Sequence, residues 1–364
     1  MEKTTMKSDI TRDTFDPTRQ YSRVLLQQGR VQLDADWNEQ VSILLHYLRT
    51  LAADIIGPHG GPRDLLAPDG TVAQRNFGFE ITVESANNRV TDLNAGTGRY
   101  YVDGLLCENY AQPDGAAPDG APRPLPDLPF LAYLDVWERH VTALEDDAIR
   151  EKALGGADTA TRAQVVWQVK TIALENLDVA FEDGVPIATT INAQWSRLKL
   201  RLRPEPRGLL QARVGPDSGS TDPCIVSPTA RYRGLENQLY RVEVHQGSDP
   251  DNPDRPATFK WSRDNGSVLA AWEDSEGNDL VVTGVHDQAR GFAAGQWVEL
   301  SDDDLELRGE PGTLVQLVKV EGDRLTFDPA TASGGTQWDS NASHPKVRRW
   351  DQRSLENQEL SMGA

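Results

Sequence analysis

The first regular pattern of apolar positions lies between residues 34 and 58. Apolar side chains recur there with alternating gaps of four and three residues, a heptad spacing with a period of about 3.5. These seam residues are Trp37, Val41, Leu44, Leu48, Leu51 and Ile55. Asp34 or Asp36 can cap the start, with Glu39 completing a capping box, and Gly57-Pro58 ends the pattern. The spacing predicts one long amphipathic helix.

Two interpretations of this seam remain open. In one, the helix packs its apolar face on the β domain of its own chain. In the other, two or three copies of the chain associate along the seam. Three heptads are close to the shortest length over which a coiled coil is recognisable, so the pattern does not choose between them.

Beyond the helix, apolar and polar residues alternate, and turn residues separate the segments. The predicted strands are 98–106, 130–141, 165–174, 197–203 and 239–245. In the last strand, Tyr240, Val242 and Val244 are expected to face the core, with Arg241, Glu243 and His245 outward. Asn265-Gly266 between two apolar segments predicts a β-hairpin, because Asn-Gly tolerates positive φ angles.

Residues 279–329 contain four short apolar segments separated by turns, which predicts a small barrel-like module. The expected fold is mainly β, with one N-terminal α-helix, a β-sandwich-like core and this module. The predicted divisions are an arm and helix (1–62), a main β domain (63–275), the small β module (276–331) and an extended tail (332–364). Exposed Pro/Gly-rich loops are expected at 113–129, 204–223 and 247–256.

Charge and cysteine content narrow the function classes. The chain has 37 Lys+Arg and 56 Asp+Glu, a formal net charge of −19, which disfavours nucleic-acid binding and adhesion to anionic membranes. Cys107 and Cys224 fit no zinc or disulfide pattern and are expected to be reduced thiols. Neither a leader-like start nor an apolar run of about 18 residues occurs, so cytoplasmic synthesis without membrane insertion is expected.

Candidate chemistry is sparse. The main hydrolase, P-loop, zinc-protease and dinucleotide signatures are absent, so no catalytic, cofactor-binding or metal residue is assigned and no enzyme is expected. The segment 135–140 (DVWERH) is either an ion-paired strand rim or an acid site beside Trp137. The acidic groups at 249–254 and 302–304 are either solvated loops or calcium ligands, although EF-hand spacing is absent.

The segment 197–203 (RLKLRLR) alternates leucines with four basic residues. They are Arg197, Lys199, Arg201 and Arg203. This basic face either pairs with the protein's own acids or docks on an acidic surface of a partner or a neighbouring copy. Trp137, Trp167 and Trp261 lie in strand patterns, so core packing is expected for them rather than glycan binding.

Several long motifs resemble a single protein family. They are the lead-in and helix start at 7–39, YLDVWERH (133–140), ALGGADTATR (153–162), VVWQVK (165–170), GLENQLYRVEVH (234–245) and TFKWSRDNGS (258–267). They resemble an uncharacterised family found in gene clusters of phage-tail-like extracellular contractile injection systems, over most of 7–350. Such families are similar to tail and baseplate-associated proteins, which assemble symmetrically, commonly as trimers. The resemblance implies this context and transfers no catalytic residue.

We therefore expect a structural or adaptor subunit of a contractile phage-tail-like injection particle that can be released from the cell. The seam residues are expected to form a homo-oligomer contact, with a trimer favoured. The basic segment is expected to dock on other tail or baseplate proteins. The alternatives are a cargo or effector carried by the particle and a glycan-binding adhesion module.

Overall fold

The computed structural model describes a defined set of residues. They are 6–11, 14–62, 65–66, 68–69, 71–74, 78–86, 89–110, 125, 129–177, 179–181, 184–203, 239–248, 257–285 and 291–351. Most of the three predicted loops, together with Cys224 and the acidic group at 249–254, lies outside these ranges. Over the described residues the chain is mainly β with a long N-terminal helix, as the sequence predicts.

The N-terminal part consists of a long helix and several small antiparallel sheets. Its elements are α1 (Asp34–Ile56), β1 (His59–Gly60), β2 (Leu65–Leu66), β3 (Val72–Gln74), β4 (Ile81–Ala86), β5 (Arg89–Ala95), β6 (Gly98–Val102), β7 (Leu105–Asn109), β8 (Phe130–Val141) and β9 (Arg162–Ala173). Strands β1, β6 and β7 form one sheet, and β8 pairs with β9 along its whole length. An apolar cluster that includes Cys107 and Trp167 fills the space between them, which gives the sandwich-like core.

The predicted single strand at 98–106 is a hairpin. Asp103 and Gly104 have φ angles of 46° and 81° and reverse the chain between β6 and β7. An Asp-Gly pair is a strong signal for such a turn, but the alternation on both sides of it reads as one continuous strand. Strand β8 has the predicted bounds, and β9 covers nearly all of the segment predicted at 165–174.

Two short helices follow, α2 (Ile187–Ala193) and α3 (Trp195–Leu202). The strand predicted at 197–203 is therefore wrong. Leu198 is buried, Leu202 one helical turn later is half-buried, and Leu200 is exposed. Leu198 packs in a local apolar cluster with Ile191, Leu174 and Leu177. This tertiary contact selects the helix, which a short alternating segment cannot reveal by itself.

Strands β10 (Arg241–Gln246) and β11 (Thr258–Ser262) form a separate two-stranded sheet. Its alternation is as predicted, but the two faces are reversed. Arg241, Glu243 and His245 are half-buried or buried, whereas Val242 and Val244 are exposed, as is Tyr240 before the strand. The polar face is inward because it meets charged partners: Glu243 lies 3.4 Å from Lys7 and 3.6 Å from Lys260.

The C-terminal part is a closed, six-stranded antiparallel barrel. Its elements are β12 (Leu269–Glu276), β13 (Asp279–Thr283), β14 (Trp297–Ser301), α4 (Asp303–Arg308), β15 (Thr313–Glu321), β16 (Arg324–Asp328) and β17 (Lys346–Trp350). The order around the barrel is β12-β13-β16-β15-β14-β17. Val298, Leu317 and Leu325 are among the buried residues of its core.

The barrel-like module is confirmed, but it is wider than the predicted 276–331. Strand β12 lies almost wholly before residue 276, and β17 lies in the segment predicted as an extended tail. Strand β17 pairs with both β12 and β14, and all five of its residues are buried. The tail prediction is therefore wrong for these residues, because they close the barrel.

The hairpin predicted around Asn265-Gly266 is wrong in its strand pairing. Both residues have positive φ angles, as an Asn-Gly turn requires. However, β11 pairs with β10, while β12 pairs with β13 and β17. The Asn265 amide donates instead to the carbonyls of Met6 and Ser8, so the turn anchors the N-terminal segment.

No helix among the described residues has the length and apolar character needed to cross a membrane.

Candidate functional site

The six seam residues lie on the outer surface of α1. Their side chains are between 39% exposed, at Val41, and 75% exposed, at Ile55. Of the 23 residues of this helix only Ala35 and Ile43 are buried. The helix thus buries few of its own residues against the β domain and leaves the heptad face largely exposed.

The start of α1 differs from the predicted capping box. Leu33 is the N-cap residue and provides no side-chain hydrogen bond. Asp36 lies in the first turn, where its negative charge interacts favourably with the positive end of the helix dipole. The Glu39 carboxylate accepts from the hydroxyl of Thr14 at 2.6 Å, so it binds the preceding arm. The predicted end is confirmed at Gly57, whose N–H donates to the last turn.

Contacts around Arg49 hold α1 against the sheets. Its guanidinium forms a bidentate ion pair with Glu138 on β8, with N–O distances of 2.6 and 3.2 Å. Gly104 lies directly against the helix backbone, because a Cβ there would be 2.2 Å from the carbonyl oxygen of Arg49. The N–H of Asp103 donates to the carbonyl of Pro58, just beyond the helix. The β6–β7 turn therefore sets how closely α1 approaches the sheet.

An apolar groove of about 840 Å³ lies between the C-terminal half of α1 and the sheets. Its apolar lining residues are Leu45, Leu48, Leu51, Ala52, Ile55, Ile56, Tyr101, Leu105, Leu106, Val165 and Trp167. The charged residues at its wall are Arg49 and Glu108. Leu48, Leu51 and Ile55 belong to both the seam and the groove, so the two form one continuous apolar surface.

The arm formed by residues 14–33 adds to this surface. The backbone N–H of Val24 donates to the side-chain oxygen of Gln40 at 2.8 Å, which fastens the arm to α1. The exposed large apolar residues of the arm are Tyr21, Leu25, Leu26, Val31 and Leu33. Exposed apolar residues therefore continue from the arm along the whole helix. Extensive apolar surface of this kind marks sites of protein–protein interaction.

The four basic residues of the predicted docking segment lie on α3 and, for the last of them, at its C-cap. They are Arg197, Lys199, Arg201 and Arg203, and all are exposed. Lys199 forms an ion pair with Asp103 in the β6–β7 turn. The segment thus makes a contact with the protein's own acids, one of the two interpretations of its charge. Docking of a partner on α3 stays a prediction.

Ion pairs occupy the charged side chains of 135–140. The pairs are Asp135–Lys170, Glu138–Arg49 and Arg139–Asp303. Burial lowers the pKa of His140, and the positive charge of Arg348 lowers it further. This arrangement corresponds to the ion-paired rim rather than to an acid site.

A group of three carboxylates surrounds a buried lysine. Glu145, Asp303 and Glu306 bring their oxygens within 4.8 Å of one another. The ammonium of Lys346, which is 1% exposed, donates to all three at 2.8, 3.0 and 2.9 Å. The ammonium occupies the position that a bound cation would take. We therefore interpret this group as an ion cluster that ties the chain after β8 to the barrel.

The titration of this cluster supports a structural role. Burial by itself would raise the pKa of Glu145 and of Asp303. The charge of Lys346 overcomes this effect for Glu145, and a hydrogen bond from Arg139 is the strongest opposing contact of Asp303, so both pKa values are held at about 2. Both carboxylates remain ionised near neutral pH, where a proton-transfer group would need a pKa close to the working pH.

Ser333 and His245 are a candidate nucleophile–base pair, because Oγ and Nε2 lie 3.4 Å apart. The Oγ of Ser333 already accepts the N–H of Leu314 at 2.8 Å. Among the described residues, the buried Nδ1 of His245 has no hydrogen-bond partner. An activated serine needs a base that a third group orients. The described geometry therefore gives no support for acyl transfer here.

The tryptophans differ in their environments. Trp167 is buried between the sheets, with its ring 4.8 Å from that of Phe79, so its predicted core position is confirmed. Trp137 and Trp261 are half-buried. Trp37, in contrast, is 71% exposed at the start of the seam.

Sequence reasoning did not find the groove or the residues beside the seam. With Val41 at heptad position a and Leu44 at d, Leu45 and Ala52 occupy e positions and Tyr47 a g position. Apolar residues at e beside a and d signal a wider apolar face than a coiled-coil seam needs. That signal was present in the sequence. The contribution of the sheets to the groove was not, because it depends on how closely α1 approaches them.

Comparison with protein families gives one match. The model of a family of unknown function (DUF6519) matches residues 6–187 and 197–361, which is most of the chain and includes α1, the sheets and the barrel. No curated protein and no solved structure matches the chain.

Proposed function

We propose that this chain, which belongs to the DUF6519 family, is a structural or adaptor subunit of a contractile phage-tail-like injection particle. In this proposal the protein acts by assembly: copies associate as trimers through the seam of α1. The observation that carries the proposal is the exposure of all six seam residues. The motifs that resemble proteins of such particles supply the particle context.

The apolar surface of the seam favours association. Fully burying a Val, Leu or Ile side chain contributes about 1.5–3 kcal/mol, so covering a half-exposed one contributes about half as much. Six such residues contribute on the order of 5 kcal/mol per helix. A trimer forms in two association steps, each of which costs about 4–15 kcal/mol, and about 15 kcal/mol from three helices offsets the lower part of this combined cost. The groove adjoining the seam adds further apolar area.

Charge opposes this association and gives it a salt dependence. Each copy carries a formal net charge of −19, so the copies repel one another at long range. At physiological ionic strength, salt screens the repulsion between charges that are farther apart than the Debye length of about 8 Å. Apolar contacts are not weakened by that screening. Self-association is therefore expected to be stronger at physiological salt than at low salt.

Light scattering of the purified full-length chain at both salt concentrations tests the proposal. We expect a mass three times that of the 40.2-kDa chain. Replacing Leu44→Asp together with Leu48→Asp places charges on the seam and is expected to leave folded monomers. Thr50→Asp, exposed on the same helix outside the seam, is the control and is expected to keep the trimer.

A folded monomer at all concentrations and both salt conditions would contradict the proposal. It would favour a cargo or effector carried by the particle, which should be toxic or catalytic when delivered alone. A monomer that binds members of a sugar array would instead favour the adhesion module.

A further inference from the structure

The groove lies along one flank of α1. In the heptad with Val41 at a and Leu44 at d, the groove-lining residues Leu45 and Ala52 occupy e positions. The opposite flank carries Tyr47 at a g position, with its side chain 51% exposed. The helix therefore presents a recess on one flank and a large aromatic side chain on the other, with the seam between them.

Coiled-coil geometry brings these two flanks together. Residues at e and g border the seam and meet those of the neighbouring helix. When helices are parallel, a g residue faces the e residue of the following heptad in its neighbour, so Tyr47 faces Ala52. When they are antiparallel, like flanks meet, and groove would lie against groove with Tyr47 against Tyr47. Only the parallel arrangement places a large side chain at each recess.

The groove is suited to a tyrosine. Ala52 is the small residue of its helical wall, and the remaining walls are largely apolar, with Arg49 and Glu108 as charged groups. A tyrosine buries an apolar ring while its hydroxyl keeps a polar neighbour. The groove is also continuous with the seam through Leu48 and Leu51, so a helix that covers the seam reaches the groove.

We infer that the α1 helices of neighbouring copies lie parallel, and that Tyr47 of each copy inserts into the groove of the next copy at Ala52. The occupant of the groove is thus a second copy of this chain. The inference rests on the proposed self-association and adds its direction, its register and the side chain that fills the groove. In a closed oligomer every copy supplies one Tyr47 and one groove, so none is left open.

An exchange of side-chain size across the contact tests the register. Tyr47→Ala empties the groove and Ala52→Tyr fills it from its own chain, so each is expected to weaken self-association about tenfold or more in sedimentation equilibrium. The double variant again pairs one tyrosine with one alanine and is expected to return towards the wild-type dissociation constant. Tyr240→Ala is the control: this tyrosine is 61% exposed, stacks on Trp261 and lies outside the arm, the seam and the groove, so self-association is expected to stay unchanged.

Single variants that associate as tightly as the wild type would overturn the inference. So would a double variant whose self-association is weakened by the sum of the two single effects. Either result leaves the seam intact as an oligomer contact. A monomeric wild-type chain would overturn the proposed function as well, so the two failures are distinguishable.

A cysteine at the end of the seam tests the direction. Ile55→Cys is made in a Cys224→Ser background, and the native Cys107 is buried and inaccessible to oxidant. Parallel helices place the new cysteines of neighbouring copies side by side, so mild oxidation is expected to link two copies by a disulfide. Antiparallel helices place them at opposite ends. An associated but unlinked variant would overturn the parallel arrangement.

Discussion

The carbonyl oxygen of Arg49 and Gly104 are so close that a Cβ at position 104 would lie 2.2 Å from that oxygen. This contact seats α1 on the β6–β7 turn, and the ion pair between Arg49 and Glu138 fixes the helix there. Both Arg49 and Gly104 also line the groove. The same close approach therefore sets the position of the helix and the width of the recess beside its seam.

We expect Gly104→Ala to destabilise the protein by roughly 3 kcal/mol or more, because a left-handed φ of +81° and the clash with α1 both oppose a side chain. Gly155→Ala is the matched control. Its φ is a similar +76°, but nothing lies within 4 Å of the new Cβ, so a cost of only about 1–2 kcal/mol is expected. Urea unfolding followed by circular dichroism measures both, and equal costs would contradict the contact.

The Lys346 cluster makes a second prediction about stability. Lys346→Met leaves three carboxylates near one another without their ammonium, so we expect a loss of about 3–5 kcal/mol in the free energy of unfolding. Lys319→Met removes a lysine that is 60% exposed and pairs with an exposed Glu321, so a change of at most about 1 kcal/mol is expected. Similar values for the two variants in thermal unfolding would argue against a buried cluster.

The same cluster predicts how stability depends on acid. The pKa values of Glu145 and Asp303 are held at about 2, below the ordinary values of 4.5 and 3.8. Their contribution is therefore present above the unfolded-state pKa and is lost as the pH falls from about 4.5 towards 2. In Lys346→Met the depression by the ammonium is gone, so the stability difference from wild type should shrink over this window. A difference that stays constant from pH 6 to pH 3 would contradict this account.

The sequence predicted best those elements in which a regular apolar pattern persists over many residues. The heptad pattern located α1, and β8 has its predicted bounds because alternation persists over its 12 residues. Strand β17 was missed for the opposite reason. Lys346, Arg348 and Arg349 read as surface residues, yet each is buried with an acidic partner far away in sequence. A local pattern cannot show such partners.

The candidate site was predictable in part. The seam residues could be named from their spacing, and the structure places them outward on one helix. Their exposure, and the groove beside them, depend on the distance that Gly104 imposes between α1 and the sheet. The basic segment at 197–203 was assigned to a strand because its leucines alternate. The segment is helical because Leu198 is buried against Leu174 and Leu177. The residues near Leu198 in the sequence do not reveal this tertiary contact.

Strand β10 shows that alternation gives the two faces of a strand but not which one is buried, and this leads to a last prediction. Glu243 meets Lys7, Lys260 and Arg241, and these cations keep its pKa below the usual value although burial acts to raise it. Glu243→Gln keeps the shape but removes the charge, so we expect a loss of about 2 kcal/mol or more in unfolding free energy.

The matched change on the other face is Val244→Thr, a near-isosteric substitution of a residue that is 63% exposed. We expect it to alter stability by no more than about 0.5 kcal/mol, because the added hydroxyl remains in water. Both variants are measured by urea unfolding at a protein concentration low enough to keep the chain monomeric, so that association does not contribute. If Val244→Thr costs more than Glu243→Gln, the apolar face is the buried one, and the orientation expected from the sequence is right after all.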